Sequence, residues 1–199
     1  FRQGLSAVQW EGKWGFIDEK GTLMIPPMYE GVETFSEGLC VVQVERGFGY
    51  INKSGRMVIP AQYDDAEPFT EGMALVKKGS GYFFINRSGT RIPGAWQDAS
   101  DFSEGLAAVK KEGAFGYIDP SGHLVIDAVF DNAGDFSNGF AVVDSAGKSG
   151  VINRSGTYVF KPTFEWIDDF RSGMARYQEN ESYGLLSLQG HVLIPAQYE

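Results

Sequence analysis

Phe35-Ser36-Glu37-Gly38-Leu39 returns as Phe69-Thr70-Glu71-Gly72-Met73 and as Phe102-Ser103-Glu104-Gly105-Leu106, with looser copies at Phe1, Phe136 and Phe170. The glycines of these stretches stand at 4, 38, 72, 105, 139 and 173, in steps of 34, 34, 33, 34 and 34 residues. A second glycine column, at 21, 55, 89, 122, 156 and 190, follows each of the first by 17 residues and halves every unit. A period of this length marks propellers, solenoids and other arrays, so residues are compared by column before any is singled out.

Within each unit the apolar residues alternate, β-formers dominate and glycine punctuates; no stretch sustains a helical period. The expectation is an all-β chain of six tandem repeats, units starting near 1, 35, 69, 102, 136 and 170, forming one domain over residues 1–199. Each unit reads as a short antiparallel meander of three to four strands. In the unit at Phe102 these are Leu106 to Val109, Phe115 to Asp119, His123 to Ile126 and an irregular fourth from Phe130 to Phe136. The second and third strands are joined at Asp18, Asn52, Asn86, Asp119 and Asn153, where a short side chain accepts from the turn backbone and glycine follows three residues on. Ser187 takes that place in the last unit.

Superposed units give core columns. One is Phe1, Phe35, Phe69, Phe102, Phe136 and Phe170; others contain Val42, Val76 and Val109, and Ile51, Ile85 and Ile118. Burying one such side chain contributes roughly 1.5–3 kcal/mol, against about 0–1 kcal/mol for a surface ion pair. Packing between repeats therefore holds the fold.

Gly12-Lys13-Trp14-Gly15-Phe16-Ile17-Asp18 contains an aromatic-glycine pair that recurs with Phe48, Tyr82, Phe115 and Tyr183; the aromatic is lost at Ser149 and the glycine is replaced by Phe83. With the Ile-Pro-Pro, Tyr-Asp and Phe-Ser-Glu-Gly-Leu stretches, this resembles the WG repeat family over essentially the whole chain. The resemblance implies a β-rich repeat with no known common catalytic activity, so it carries over no functional residue. A strand glycine lets another backbone or ring come close, so Phe83 is expected to distort its hairpin. The short unit lacks a residue just before Ile92, which predicts an irregular third strand there. The nearly whole number of units, with apolar columns kept in the first and last, favours a six-bladed propeller-like ring over an open β-solenoid.

Composition suits a folded domain, with 43% hydrophobic and 14% aromatic residues. No segment approaches the roughly 20 apolar residues of a membrane helix, and no signal peptide is visible. The chain begins with Phe, which is consistent with a fragment of a longer protein and leaves the compartment open. A net charge of −9 opposes nucleic-acid binding.

The catalytic inventory is thin. Cys40 shares a column with Ser6, Ala74, Ala107, Ala141 and Ala175 and reads as a small core residue; a lone cysteine excludes an internal disulfide. His123 and His191 follow turn glycines, where other units carry Thr or Arg, and read as surface. The acidic column Glu30, Asp64, Asp131, Glu165 and Glu199, broken by Gln97, suits either a cation or, preferably, hydrogen bonding to the next turn. No cofactor is implied. Loops on a rigid scaffold are where recognition varies, and the tips between strands one and two offer Lys77, Lys78, Lys110 and Lys111. Trp10 and Trp166 add aromatic anchors, whereas Trp96 falls in a core column. The favoured function is a noncatalytic, monomeric module that binds protein or peptide through these tips. A glycan-binding or cell-surface module is the alternative, and an enzyme the weakest reading.

Overall fold

The computed structural model describes residues 1–188 and 191–198. Gly190 of the second glycine column and Glu199 of the acidic column lie outside the described residues. Two compact units, Phe1–Ala95 and Trp96–Glu199, hold three antiparallel sheets each, every sheet built from consecutive strands.

In the first unit, β1 (Leu5–Trp10), β2 (Lys13–Asp18) and β3 (Leu23–Tyr29) form the first sheet. The second contains β4 (Gly31–Val32), β5 (Leu39–Val44), β6 (Gly47–Asn52) and β7 (Met57–Tyr63). The third contains β8 (Asp65–Ala66), β9 (Met73–Lys78) and β10 (Gly81–Asn86). In the second unit, the fourth sheet contains β11 (Asp98–Ala99), β12 (Ala107–Lys111), β13 (Ala114–Ile118) and β14 (Leu124–Phe130). The fifth contains β15 (Asn132–Ala133), β16 (Phe140–Ser145), β17 (Lys148–Asn153) and β18 (Tyr158–Phe164). The sixth contains β19 (Trp166–Ile167), β20 (Met174–Glu179), β21 (Ser182–Ser187) and β22 (Val192–Tyr198).

The third strand is longer than its sequence suggested, reaching Phe130 instead of Ile126. The supposed fourth strand shrinks to β15, which pairs with β16 and so opens the next sheet instead of ending its own. The chain changes sheets at Asp131, whose N–H bonds Asp144 O at 2.9 Å. The Asx turns form as expected: Asn52 Oδ1, for example, accepts from the N–H groups of Ser54 (3.1 Å) and Arg56 (3.0 Å).

Each Phe-Ser-Glu-Gly-Leu stretch is a two-residue hairpin turn. Ser36 and Leu39 exchange both backbone bonds, at 2.8 and 2.9 Å. Between them Glu37 and Gly38 take φ values of 50° and 84°, the left-handed pair that a type I′ turn demands. The serine then ties its turn to the next repeat, Ser36 Oγ donating to Phe69 O at 2.6 Å and Ser103 Oγ to Phe136 O at 2.7 Å.

The phenylalanine column packs edge-on against the aromatic two residues after the aromatic position of the WG-type pair in the preceding repeat. The ring centroids are 5.0 Å apart for Phe35 with Phe16, 4.9 Å for Phe69 with Tyr50 and 4.8 Å for Phe136 with Tyr117. Such pairs add about 0.5–1.5 kcal/mol to the burial of their area. Tyr50 and Tyr117 also donate their hydroxyls to Glu67 O (2.8 Å) and Gly134 O (2.7 Å), so the buried oxygen is satisfied. Phe1, the first of the column, is exposed.

The glycine of the aromatic-glycine pair makes room for a bulge. On the fourth sheet Phe115 faces Phe130 and Tyr117 faces Ile126, so the single residue Gly116 opposes Asp127 to Val129. A Cβ at Gly116 would lie 2.5 Å from Ile126 O; at Gly15 it would lie 2.4 Å from Ile25 O. The same register break recurs in the first, second, fifth and sixth sheets. Where Phe83 replaces the glycine, the effect differs from the expected distorted hairpin. β9 and β10 keep an unbroken register from Gly81↔Lys78 to Asn86↔Met73. What is lost is the outer strand, reduced to a bridge between Ile85 and Arg91 and one bond from Ile92 N–H to Phe84 O (3.0 Å). The Phe83 ring carries the Arg91 guanidinium 3.5 Å from its centre instead. The missing residue before Ile92 and the phenylalanine thus act on one strand.

Candidate functional site

Four of the hairpin tips are braced by the residue that leads the chain into their own sheet. Asp64 Oδ2 accepts from Gly79 N–H (2.6 Å), Gln97 Oε1 from Gly113 N–H (2.8 Å) and Asp131 Oδ2 from Ala146 N–H (2.6 Å). Glu165 Oε2 reaches Glu181 N–H at 3.4 Å, while Glu30 pairs with Lys13 at 3.0 Å. The acidic column therefore works on turn backbone, and Gln97 does the same work without a charge.

The six residues singled out from sequence divide by sheet. Trp10 ends β1 and is 69% exposed. Lys78 and Lys111, at the ends of β9 and β12, are also exposed. Lys77 and Lys110 are half-buried, because each ammonium rests on the aromatic directly across its hairpin, 5.2 Å from the centre of Tyr82 and 5.1 Å from that of Phe115. Trp166 lies on β19 near the tip end of its sheet, paired with Gln178 one residue before β20 ends. The Arg176 guanidinium sits 5.8 Å from its ring and 3.4 Å from Asp168. Trp96 is buried.

Trp166 borders a cleft that the sequence reading did not single out. Two cavities of about 470 and 260 Å³ share Gly134, Val142 and Asp169, so they run together along β15 and β19 of the fifth and sixth sheets. Two small residues open it. Ser149 stands where the other repeats have an aromatic, and Gly134 where Glu33, Glu67 and Asp168 stand in theirs. Its walls carry Glu104, Asp135, Asp144, Asp168 and Asp169, and one cation, Arg171. Asp144 is fixed by Ser149 Oγ at 2.6 Å and Asn132 Nδ2 at 3.3 Å. The loss of the aromatic at Ser149 was the visible signal, but without the register nothing tied it to Gly134. Among the described residues no cluster of three or more His, Cys, Asp or Glu is arranged to hold a metal ion, and no helix is long and apolar enough to cross a membrane.

A family model described as "WG containing repeat" matches residues 14–46, 48–82, 82–113, 115–148 and 150–182. The chain belongs to the WG repeat family. Four matches open on the aromatic of the pair, and the fifth opens on Gly150, just after the position where Ser149 replaces it. Each WG repeat, read this way, begins on the second hairpin strand of one sheet and ends at or near the hairpin tip of the next. No curated protein matches the chain in sequence. Among solved structures, Hsv2 of Kluyveromyces lactis with its loop 6CD replaced by a Gly-Ser linker superposes with a TM-score of 0.55 at 9% identity, covering 93% of this chain and 74% of that one. A eukaryotic initiation factor gives 0.59 at 12% identity, covering 97% of this chain and 63% of the other. These likenesses are to propeller-like proteins and concern the fold alone.

Proposed function

We propose that this WG-repeat chain is a binding module that docks a partner protein and performs no chemistry of its own. The observation that carries this reading is the bracing of the hairpin tips. The tips beside Lys78 and Lys111 have their backbones held by Asp64 and Gln97, while those two lysines, and Trp10 on the first tip, stand exposed to solvent. A tip so held loses little conformational freedom on binding, which is what preorganised recognition requires. Large exposed aromatics of the Trp10 kind anchor interfaces, and exposed lysines steer an acidic partner.

The test is capture on the immobilised chain from extracts of the organism that carries it, with Lys77, Lys78, Lys110 and Lys111 reversed to Glu and Trp10 changed to Ala. Loss of a specifically recovered protein on these changes, with melting temperature preserved, supports the reading. Unchanged recovery removes the tips from it.

A further inference from the structure

We propose that the cleft between the fifth and sixth sheets binds an extended segment of a partner protein rich in arginine or lysine. The site shares no residue with the tips that carry Trp10, Lys77, Lys78, Lys110 and Lys111.

The cleft exists because two side chains are missing from an otherwise regular array. A Cβ at Gly134 would lie 3.9 Å from Asp169 Oδ1, so any side chain there would begin to fill the space. An aromatic at position 149, across from Asp144 as Tyr183 is across from Gln178 on the sixth sheet, would fill the other end. Loss of both leaves a trough bordered by the short strands β15 and β19.

Charge decides what fits it. Asp135 and Asp169 are exposed and form no ion pair among the described residues. Asp144, which accepts from Ser149 and Asn132, and Asp168, which pairs with Arg176, lie further along, so the carboxylates are spread over the length of the cleft instead of meeting at one point. That spacing suits successive side chains of an extended peptide better than a single ion. Trp166, 38% exposed at one end, carries the Arg176 guanidinium 5.8 Å from its ring centre and leaves its exposed part to an aliphatic stem or a second guanidinium. The chain's net charge of −9 draws cationic segments in and repels nucleic acid.

The probe is a fluorescein-labelled, capped seven-residue peptide alternating arginine with glycine, followed by anisotropy with the full chain at low salt. Binding is expected, and should weaken at least tenfold in the Asp135→Asn/Asp169→Asn double variant and in Ser149→Tyr, which refills the trough. Lys111→Glu should leave it unchanged, which separates this site from the tips. The proposal falls if the peptide does not bind, if a glutamate-for-arginine peptide or spermidine binds as tightly, or if both cleft variants bind like the parent. Should Ser149→Tyr fail to fold, the exposed double variant decides alone.

Discussion

Both carboxylate oxygens of Glu37 reach the backbone N–H of Gly72, at 3.0 and 3.2 Å, one repeat further along the chain. Glu104 makes the same reach in the second unit, to Asn138 N–H at 2.6 Å and Gly139 N–H at 2.8 Å. The glutamate sits in the left-handed region, where a residue with a Cβ is strained by about 1–2 kcal/mol. A hydrogen bond to a charged group returns about 1.5–3 kcal/mol. The bond therefore offsets the strain, and the turn of one repeat becomes the fastening of the next.

Replacing Glu37 by Ala keeps the strain and removes the fastening, so stability should fall by about 1–2 kcal/mol. Glu37→Gly removes both and should cost less. Thermal melts of the two variants check the order; Glu37→Gly melting below Glu37→Ala would refute the balance.

Gly116→Ala places a methyl group into the carbonyl of Ile126 and must push the bulge outward, at a cost of about 1–3 kcal/mol. Gly134→Ala, whose Cβ would sit 3.3 Å from Val142 O, should cost less than 1 kcal/mol. Urea midpoints of the pair give the comparison.

Cys40 is the chain's one thiol and is buried to 1% exposure. Burial pushes its pKa up to about 12. An aromatic disulfide reagent at pH 8 should therefore modify it only as fast as the first unit opens, and fully at once in denaturant. Prompt reaction of the native chain would contradict the packing.

Burial, and secondarily the Asp135 carboxylate, raises the pKa of Tyr117 above that of a free phenol. The folded value exceeds the unfolded one, so its contribution is complete below about pH 10 and is lost as pH rises beyond it. Tyr117→Phe should flatten the alkaline decline in stability while costing about 1 kcal/mol at neutral pH through the lost bond to Gly134 O. Denaturation curves at pH 7 and above pH 10 give both quantities.

The sheets were legible because their determinants repeat. Three copies of a Phe-aromatic pairing and five of an Asx turn cannot be coincidence, and even the irregular strand before Trp96 was marked by one missing residue. The bulge was not legible, since nothing in Ile59-Pro60-Ala61-Gln62-Tyr63 announces that three of its residues fold over Gly49. That is why the effect of Phe83 falls on the outer strand, which is reduced to a bridge, while the hairpin that carries it keeps its register. The cleft was hidden for a different reason. Ser149 and Gly134 are small, each unremarkable alone, and 15 positions apart; only the sheet register brings them to one space.

The stretch from Arg91 to Ala95 carries little of the ladder that its counterparts share; among the described residues its backbone links to β10 are the Ile85–Arg91 bridge and the bond from Ile92. Elsewhere in the array a change of length would break a row of bonds on a whole strand. Here extra residues would cost almost no pairing, which makes this the point at which descendants of the chain can lengthen, or acquire an inserted segment, without relearning how to fold.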